Sequence, residues 1–146
     1  MRTKVLAALA GVLGLALVWS VWHSPGSSEA QAASSRTRLA VLWTSADPEV
    51  ADRMAFMYTK NAKSQAWFDD VRLIVWGPSA ELLATNEDLQ EQVKTLMDEG
   101  VMVQACVVCA RSYGVVDELR DMGIEVKPMG KPLSDYLKGG WKVLSL

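Results

Sequence analysis

The fold of this chain is most clearly predicted from residues 100–109, which have the sequence GVMVQACVVC. Gly100 is typical of a residue that ends a helix, and the apolar run 101–105 is typical of a buried strand. The run leads directly into Cys106 and Cys109, the only cysteines of the chain. In open α/β sheets, ligands and reactive groups gather at the carboxyl ends of the strands. We therefore expect both thiols to lie at such a position.

Short apolar runs that alternate with amphipathic segments continue on both sides of this stretch. The predicted strands cover residues 39–43, 71–76, 101–105, 124–127 and 141–144. Asp47 before Pro48, and Asn86 further on, are typical helix-capping residues, while Gly123 is a typical helix end. Strands that alternate with helices predict an α/β fold with a mostly parallel five-stranded sheet, covered by helices on both faces.

Three details of this pattern make specific structural predictions. Met54 and Met57 are among the apolar residues that recur at helical spacing after Pro48, so we expect them to fill the core. Residues 106–114 are expected to form a loop at the end of the third strand. The last helix is expected to begin after Pro132.

An export segment precedes this pattern. Arg2 and Lys4 stand before eighteen uncharged residues, 5–22, which predicts either a secretory signal peptide or an uncleaved anchor that spans the membrane. The basic start is expected to stay in the cytoplasm, so the rest of the chain is periplasmic or anchored to the inner membrane from outside. The sequence Ala-Gln-Ala at 30–32 fits a cleavage site, whereas the length of the apolar run favours an anchor. Both interpretations stay open.

The remaining sequence divides into a linker and one domain. Residues 23–37 are rich in Ser, Ala and Gly and predict a flexible linker, and residues 38–146 are enough for a single domain. The chain has 15 basic and 17 acidic residues, a balance that argues against nucleic-acid binding. Half of the residues are hydrophobic, and a domain of this size leaves much of its surface exposed, so we expect self-association.

Two cysteines three residues apart are compatible with several kinds of chemistry. They can exchange between dithiol and disulfide, carry and resolve a persulfide, form a static disulfide, or be inert apolar residues. A metal is not expected, because zinc needs four ligands and the only histidine, His23, lies outside the predicted domain. No cofactor is expected, since the chain has no glycine-rich phosphate loop. Arg111 and the backbone amides of the next turn are expected to lower the pKa of a thiol here.

Four segments together resemble the DsrE-like family, which includes DsrE/DsrF-like and YchN-like sulfur-relay domains. In chain order they are VLWTS at 41–45, VWGPS at 75–79, VQACVVCARSYGV at 103–115 and PLSDYL at 132–137. The resemblance covers about residues 38–146 and implies a three-layer α/β/α domain that assembles into trimers or hexamers. It also implies a persulfide on the cysteine after the third strand, which is Cys106, with a sulfur donor or acceptor protein as partner. Cys109 is an extra residue that only some relatives have.

Three functions from different classes follow. The first is an exported sulfur carrier or sulfurtransferase that binds or transfers sulfane sulfur on Cys106, with Cys109 as the resolving thiol. The second is a non-catalytic oligomeric binding module in which the cysteine pair is structural or inert. The third is a dithiol oxidoreductase.

Overall fold

A computed structural model describes residues 36–146 of the chain, so the predicted export segment and all but the end of the predicted linker lie outside the described residues. Thr37, the last linker residue, donates hydrogen bonds from its amide and hydroxyl groups to Asp69 Oδ2, at 2.7 and 2.9 Å. No helix among residues 36–146 is long and apolar enough to cross a membrane. The strands of this part are β1 (Arg38–Trp43), β2 (Asp70–Val75), β3 (Met102–Cys106), β4 (Glu125–Lys127) and β5 (Lys142–Ser145).

The helices lie between these strands. Helix α1 has three consecutive segments, an α-helical Pro48–Val50, a π-helical Ala51–Phe56 and an α-helical Met57–Ser64. The others are α2 (Ser79–Thr85), α3 (Glu87–Asp98), α4 (Val107–Tyr113), α5 (Val116–Asp121) and α6 (Gly130–Lys138).

The five strands form one sheet in the order β4-β3-β2-β1-β5, and every neighbouring pair is parallel. All five predicted strands are confirmed, with bounds that differ by no more than one residue. The predicted parallel α/β fold is therefore correct. Strand β3, which carries the cysteines, lies between β2 and the edge strand β4.

Alternate residues of each strand point to opposite faces of the sheet and build two separate apolar clusters. On β1, Leu39 and Val41 belong to the larger cluster beneath helices α1 to α5, whereas Ala40 belongs to a smaller cluster that Met129 and Tyr136 cover from the side of α6. Helices thus lie on both faces, as predicted, but α6 is the only described helix that contributes buried residues to the smaller cluster. Cys106 belongs to that thinly covered face.

The predicted helix caps are confirmed. The Asp47 side chain accepts a hydrogen bond from the Glu49 amide at 2.8 Å, and Pro48 is the first helical residue. The Asn86 side chain accepts one from the Leu89 amide at 3.0 Å. Each cap satisfies an amide that the helix leaves unpaired, which stabilises the fold by about 1 kcal/mol.

The expected burial of Met54 and Met57 is wrong, since their side chains are 51% and 56% exposed. Both residues follow the start of the π-helical segment, whose buried residues are Ala51, Ala55 and Phe56. A π-helix closes its hydrogen bonds one residue later than an α-helix. Positions that a regular 3.6-residue repeat would bury are therefore rotated away from the core.

Two further expectations about the helices are corrected. Residues 107–113 form helix α4 and are not a loop. The sequence concealed this helix because Val107 and Val108 are weak helix formers and no capping side chain precedes them. Helix α6 begins at Gly130, before Pro132, because a proline is tolerated in the first helical turn, where its missing N–H has no partner to lose.

Candidate functional site

Cys106 is the last residue of β3 and also the residue that begins helix α4. Its backbone is still extended, with φ −73° and ψ 112°, so the chain turns into the helix immediately after the thiol. The side chain is only 4% exposed and packs in the smaller apolar cluster. The structure therefore places Cys106 at the carboxyl end of an inner strand, as predicted.

Cys109 follows about one helical turn later and is partly exposed. It lies close enough to Cys106 and to the Gly77 amide for both to affect its pKa. Burial raises the pKa of Cys109, the Gly77 amide offsets part of this rise, and the neighbouring thiol of Cys106 raises it further. The expected lowering of thiol pKa in this loop is thus wrong for Cys109, because no cation contributes and desolvation dominates. Both sulfurs are free, not joined in a disulfide.

Gly77 brings the end of the neighbouring strand β2 to this thiol pair. Its φ is +70°, a left-handed conformation that favours glycine. The following Ser79 is completely buried, and its hydroxyl donates to the Trp43 carbonyl at 2.7 Å and accepts from the Trp76 amide at 3.0 Å. One serine side chain therefore joins the ends of β1 and β2, and this fixes the loop that presents the Gly77 amide.

The walls around the thiols are apolar. Ile74 and Met129 are fully buried in the cluster that contains Cys106, and Trp76 and Leu133 pack against it. Trp43, at the end of β1, lies in the larger cluster on the opposite face. There it contacts Phe56 with ring centroids 5.0 Å apart. Only one of the two tryptophans at the strand ends therefore lines the site.

A network of polar contacts crosses the same face of the sheet. The Tyr136 hydroxyl donates to Gln104 Oε1 at 2.6 Å and accepts from Arg72 Nη1 at 2.7 Å. Gln104 Nε2 donates to Glu125 Oε2 at 2.5 Å, and Lys127 Nζ lies 2.8 Å from the other oxygen of Glu125. The sequence analysis did not predict these polar contacts. The available signal was Gln104 itself, a polar residue two positions before Cys106 in an otherwise apolar strand, and therefore on the same face.

The arrangement suits thiol chemistry better than metal binding. Among residues 36–146, no three side chains of His, Cys, Asp or Glu are grouped so that they could hold a metal ion. A cavity of about 280 Å³ lies between α1 and α3, lined by Phe56, Lys60 and Leu96 among others, and has no contact with the cysteines. The structure thus places the two predicted thiols close to each other. The sulfur chemistry assigned to them remains a prediction.

Comparison with known proteins extends these observations. The chain is similar to BT1422, a conserved protein of unknown function from Bacteroides thetaiotaomicron. The sequence identity is 34% and the TM-score is 0.72 over 75% of this chain and 94% of that chain. It shares its fold with the ychN protein from E. coli at 15% identity and a TM-score of 0.58, over 75% of this chain and 99% of that chain. It also shares it with MTH1491, a protein of unknown function from Methanobacterium thermoautotrophicum, at 20% identity and a TM-score of 0.62, with the same coverage.

No curated protein sequence matches the chain. A sequence model of the DsrE/DsrF-like family matches residues 21–146, which include every described strand and helix. The resemblance found in the four sequence segments is therefore confirmed, and the chain belongs to the DsrE/DsrF-like family.

Proposed function

We propose that this chain is an exported DsrE-like protein that binds or transfers sulfane sulfur as a persulfide on Cys106. The observation that carries the proposal is the position of two neighbouring free thiols, Cys106 at the carboxyl end of β3 and Cys109 in the first turn of α4. Family membership supports sulfur relay as the class of chemistry. The protein then acts as a sulfur carrier or a sulfurtransferase, with a donor or acceptor protein as partner.

The two thiols have different environments and therefore different roles. Cys106 accepts the sulfur inside the apolar cluster, where only 4% of its surface reaches solvent. Cys109 later attacks the inner sulfur of the persulfide, so that a Cys106–Cys109 disulfide forms and hydrogen sulfide leaves. Because burial raises the pKa of Cys109, this thiol stays protonated at neutral pH. Resolution is then slow, which suits a protein that holds sulfur until an acceptor arrives.

Intact-mass analysis tests the persulfide. The reduced protein is incubated with a sulfane-sulfur donor and its mass is followed with time. We expect the native chain to gain sulfur or to form the disulfide with release of sulfide. Cys106→Ser should gain none, and Cys109→Ser should hold its sulfur longer than the native chain. Loading of Cys106→Ser to the native level would show that Cys106 is not the carrier.

The same pair of neighbouring free thiols also favours a second candidate, a dithiol oxidoreductase that cycles between two thiols and a disulfide. This candidate predicts disulfide formation with an oxidised small thiol and no gain of sulfur from a sulfane donor. If the protein neither gains sulfur nor exchanges its disulfide, the non-catalytic interpretation of the cysteine pair is supported.

Export is the part of the proposal that depends on residues 1–22. A reporter that is active only in the periplasm, fused to the carboxyl end, should be active, because Arg2 and Lys4 hold the start of the segment in the cytoplasm. Replacing residues 5–22 by a charged linker should abolish that activity. Activity only from a reporter that requires the cytoplasm would contradict export.

We also propose that copies of the chain associate. Among the described helices, α6 alone contributes buried residues to the smaller cluster, and Met102, Val108 and Leu137 expose 46%, 65% and 62% of their side chains. Exposed large apolar side chains at this density favour an interface over a solvated surface. A trimer or hexamer is the assembly that the family resemblance implies.

A further inference from the structure

Lys127 lies beside Cys106 across the ladder between β3 and β4. The register pairs these two residues directly, and partners in register project their side chains to the same face of a sheet, with strands about 4.8 Å apart. Strand β4 is the edge of the sheet, and the Lys127 side chain is 32% exposed. A cationic side chain therefore leaves the backbone next to the thiol and still reaches solvent.

The ammonium group of Lys127 is held in place from the interior. Its Nζ lies 2.8 Å from Glu125 Oε1, and Glu125 Oε2 accepts a hydrogen bond from Gln104 Nε2 at 2.5 Å. Gln104 is 1% exposed and is fixed in turn by the Tyr136 hydroxyl. Since an ammonium group has three donors and Glu125 uses one, the remaining donors are available to an incoming anion.

The apolar cluster that contains Cys106 includes Ile74, Met129 and Tyr136. The Arg72 guanidinium lies over the Tyr136 ring at the border of this cluster. An apolar environment of this kind screens a nearby charge less than water does. Lys127, in register with Cys106, therefore adds to the preference of this site for anions over neutral molecules.

We propose that Lys127 recruits small sulfane-sulfur anions to Cys106, so that the sulfur donor belongs to the thiosulfate and polysulfide class. This inference rests on the proposed persulfide function. The Cys106 thiolate attacks the outer sulfur of thiosulfate, a new S–S bond forms, and sulfite leaves with the electron pair of the bond that breaks. With a polysulfide, the leaving group is the polysulfide shortened by one sulfur. The total charge and oxidation state are balanced in both cases. The side chain of Cys106 is only 4% exposed, so the site admits only a small donor.

The first experiment measures anion recruitment without any sulfur chemistry. In full-length chain carrying Cys109→Ser, Cys106 is the only thiol. Its alkylation rates with iodoacetate, an anion, and iodoacetamide, a neutral reagent of similar size, are compared. We expect Lys127→Met to slow iodoacetate about fivefold, the effect of one charge in a partly screened site, and to leave iodoacetamide within about twofold. Lys127→Arg should restore the iodoacetate rate.

Lys131→Met is the matched control, because Lys131 is also paired with a carboxylate, Asp135 at 2.7 Å, but is 84% exposed on α6. It should change neither rate. Equal slowing of both reagents by Lys127→Met would show a structural role and overturn the proposal. Unchanged rates would also overturn it. So would a Cys109→Ser chain with Lys127 intact that does not react with iodoacetate, since a site that recruits small anions must admit one.

The second experiment separates the two donors and separates this inference from the proposed function. Loading of Cys106 by thiosulfate and by polysulfide is followed by intact mass in the native chain and in Lys127→Met. We expect the effective donor to load the variant about fivefold more slowly. Loading that Lys127→Met does not affect overturns the donor inference and leaves the persulfide function standing. Loading by neither donor overturns the donor inference, even where alkylation prefers the anion. The persulfide function is overturned as well only if Cys106 also gains no sulfur from a protein persulfide.

Discussion

Replacement of Tyr136 by phenylalanine tests the polar chain that anchors α6 to the sheet. The substitution keeps the ring and removes a hydroxyl that donates to Gln104 at 2.6 Å and accepts from Arg72 at 2.7 Å. Gln104 is 1% exposed, so its freed carbonyl has no access to water and costs about 1–3 kcal/mol. The Arg72 side chain is 21% exposed, so water partly replaces the second bond, which contributes at the lower end of about 1.5–3 kcal/mol for a charged donor.

The expected loss of unfolding free energy is therefore about 2–3 kcal/mol. In a folded region of this size, each kcal/mol lowers the melting temperature by about 4 °C, so Tm should fall by about 8–12 °C. Urea unfolding followed by circular dichroism should show a lower midpoint with an unchanged slope. Tyr113→Phe is the control, because Tyr113 is 38% exposed, and it should stay within about 0.5 kcal/mol of the native chain. A loss of unfolding free energy in Tyr136→Phe that is as small as in this control would refute the reasoning.

Three further predictions concern the assembly, the Gly77 turn and the pH dependence. Light scattering on residues 33–146 should show a trimer or a multiple of it at micromolar concentration, and a monomer alone would contradict self-association. Gly77→Ala should lower stability by about 1–2 kcal/mol in denaturant unfolding, because alanine is strained at φ +70°, whereas Gly130→Ala, in open space without a positive φ, should not. Burial raises the pKa of Cys109 above its ordinary value of 9.0, so its contribution to stability is complete below pH 9 and is lost as the pH rises further. Stability above pH 9 should therefore fall less steeply in Cys109→Ser, and equal slopes would contradict the raised pKa.

The strands and the thiol pair were predictable from sequence because they depend on local patterns. Five apolar runs with glycine or capping residues at their borders define the strands, and two cysteines three apart at a strand end are close in any compact conformation. The contacts of the pair with the rest of the fold depend on tertiary packing. The Gly77 amide reaches Cys109 from another strand end, and Gln104 meets Tyr136 across 32 positions of sequence.

Two of the missed features depend on strand register or helical phase and not on composition. Cys106 is paired with Lys127 because of the register between β3 and β4. That register is set by the burial of apolar side chains on the faces of the sheet. The π-helical segment of α1 rotates Met54 and Met57 outwards, and nothing in their own hydrophobicity indicates it. Sequence alone therefore identified the two cysteines and could not identify the lysine in register with Cys106.

The position of α6 links the stability of the fold to access to the sulfur. Met129, just before α6, belongs to the same apolar cluster as Cys106, and Tyr136 anchors the helix further along the same face. If α6 must detach locally before a reagent reaches Cys106, a loss of about 2 kcal/mol in its anchoring raises the open population about thirtyfold. Alkylation of Cys106 in Tyr136→Phe should then accelerate by up to that factor. An unchanged alkylation rate would mean that reagents reach the buried Cys106 without detachment of α6, by a route past Gly77 and the partly exposed Cys109.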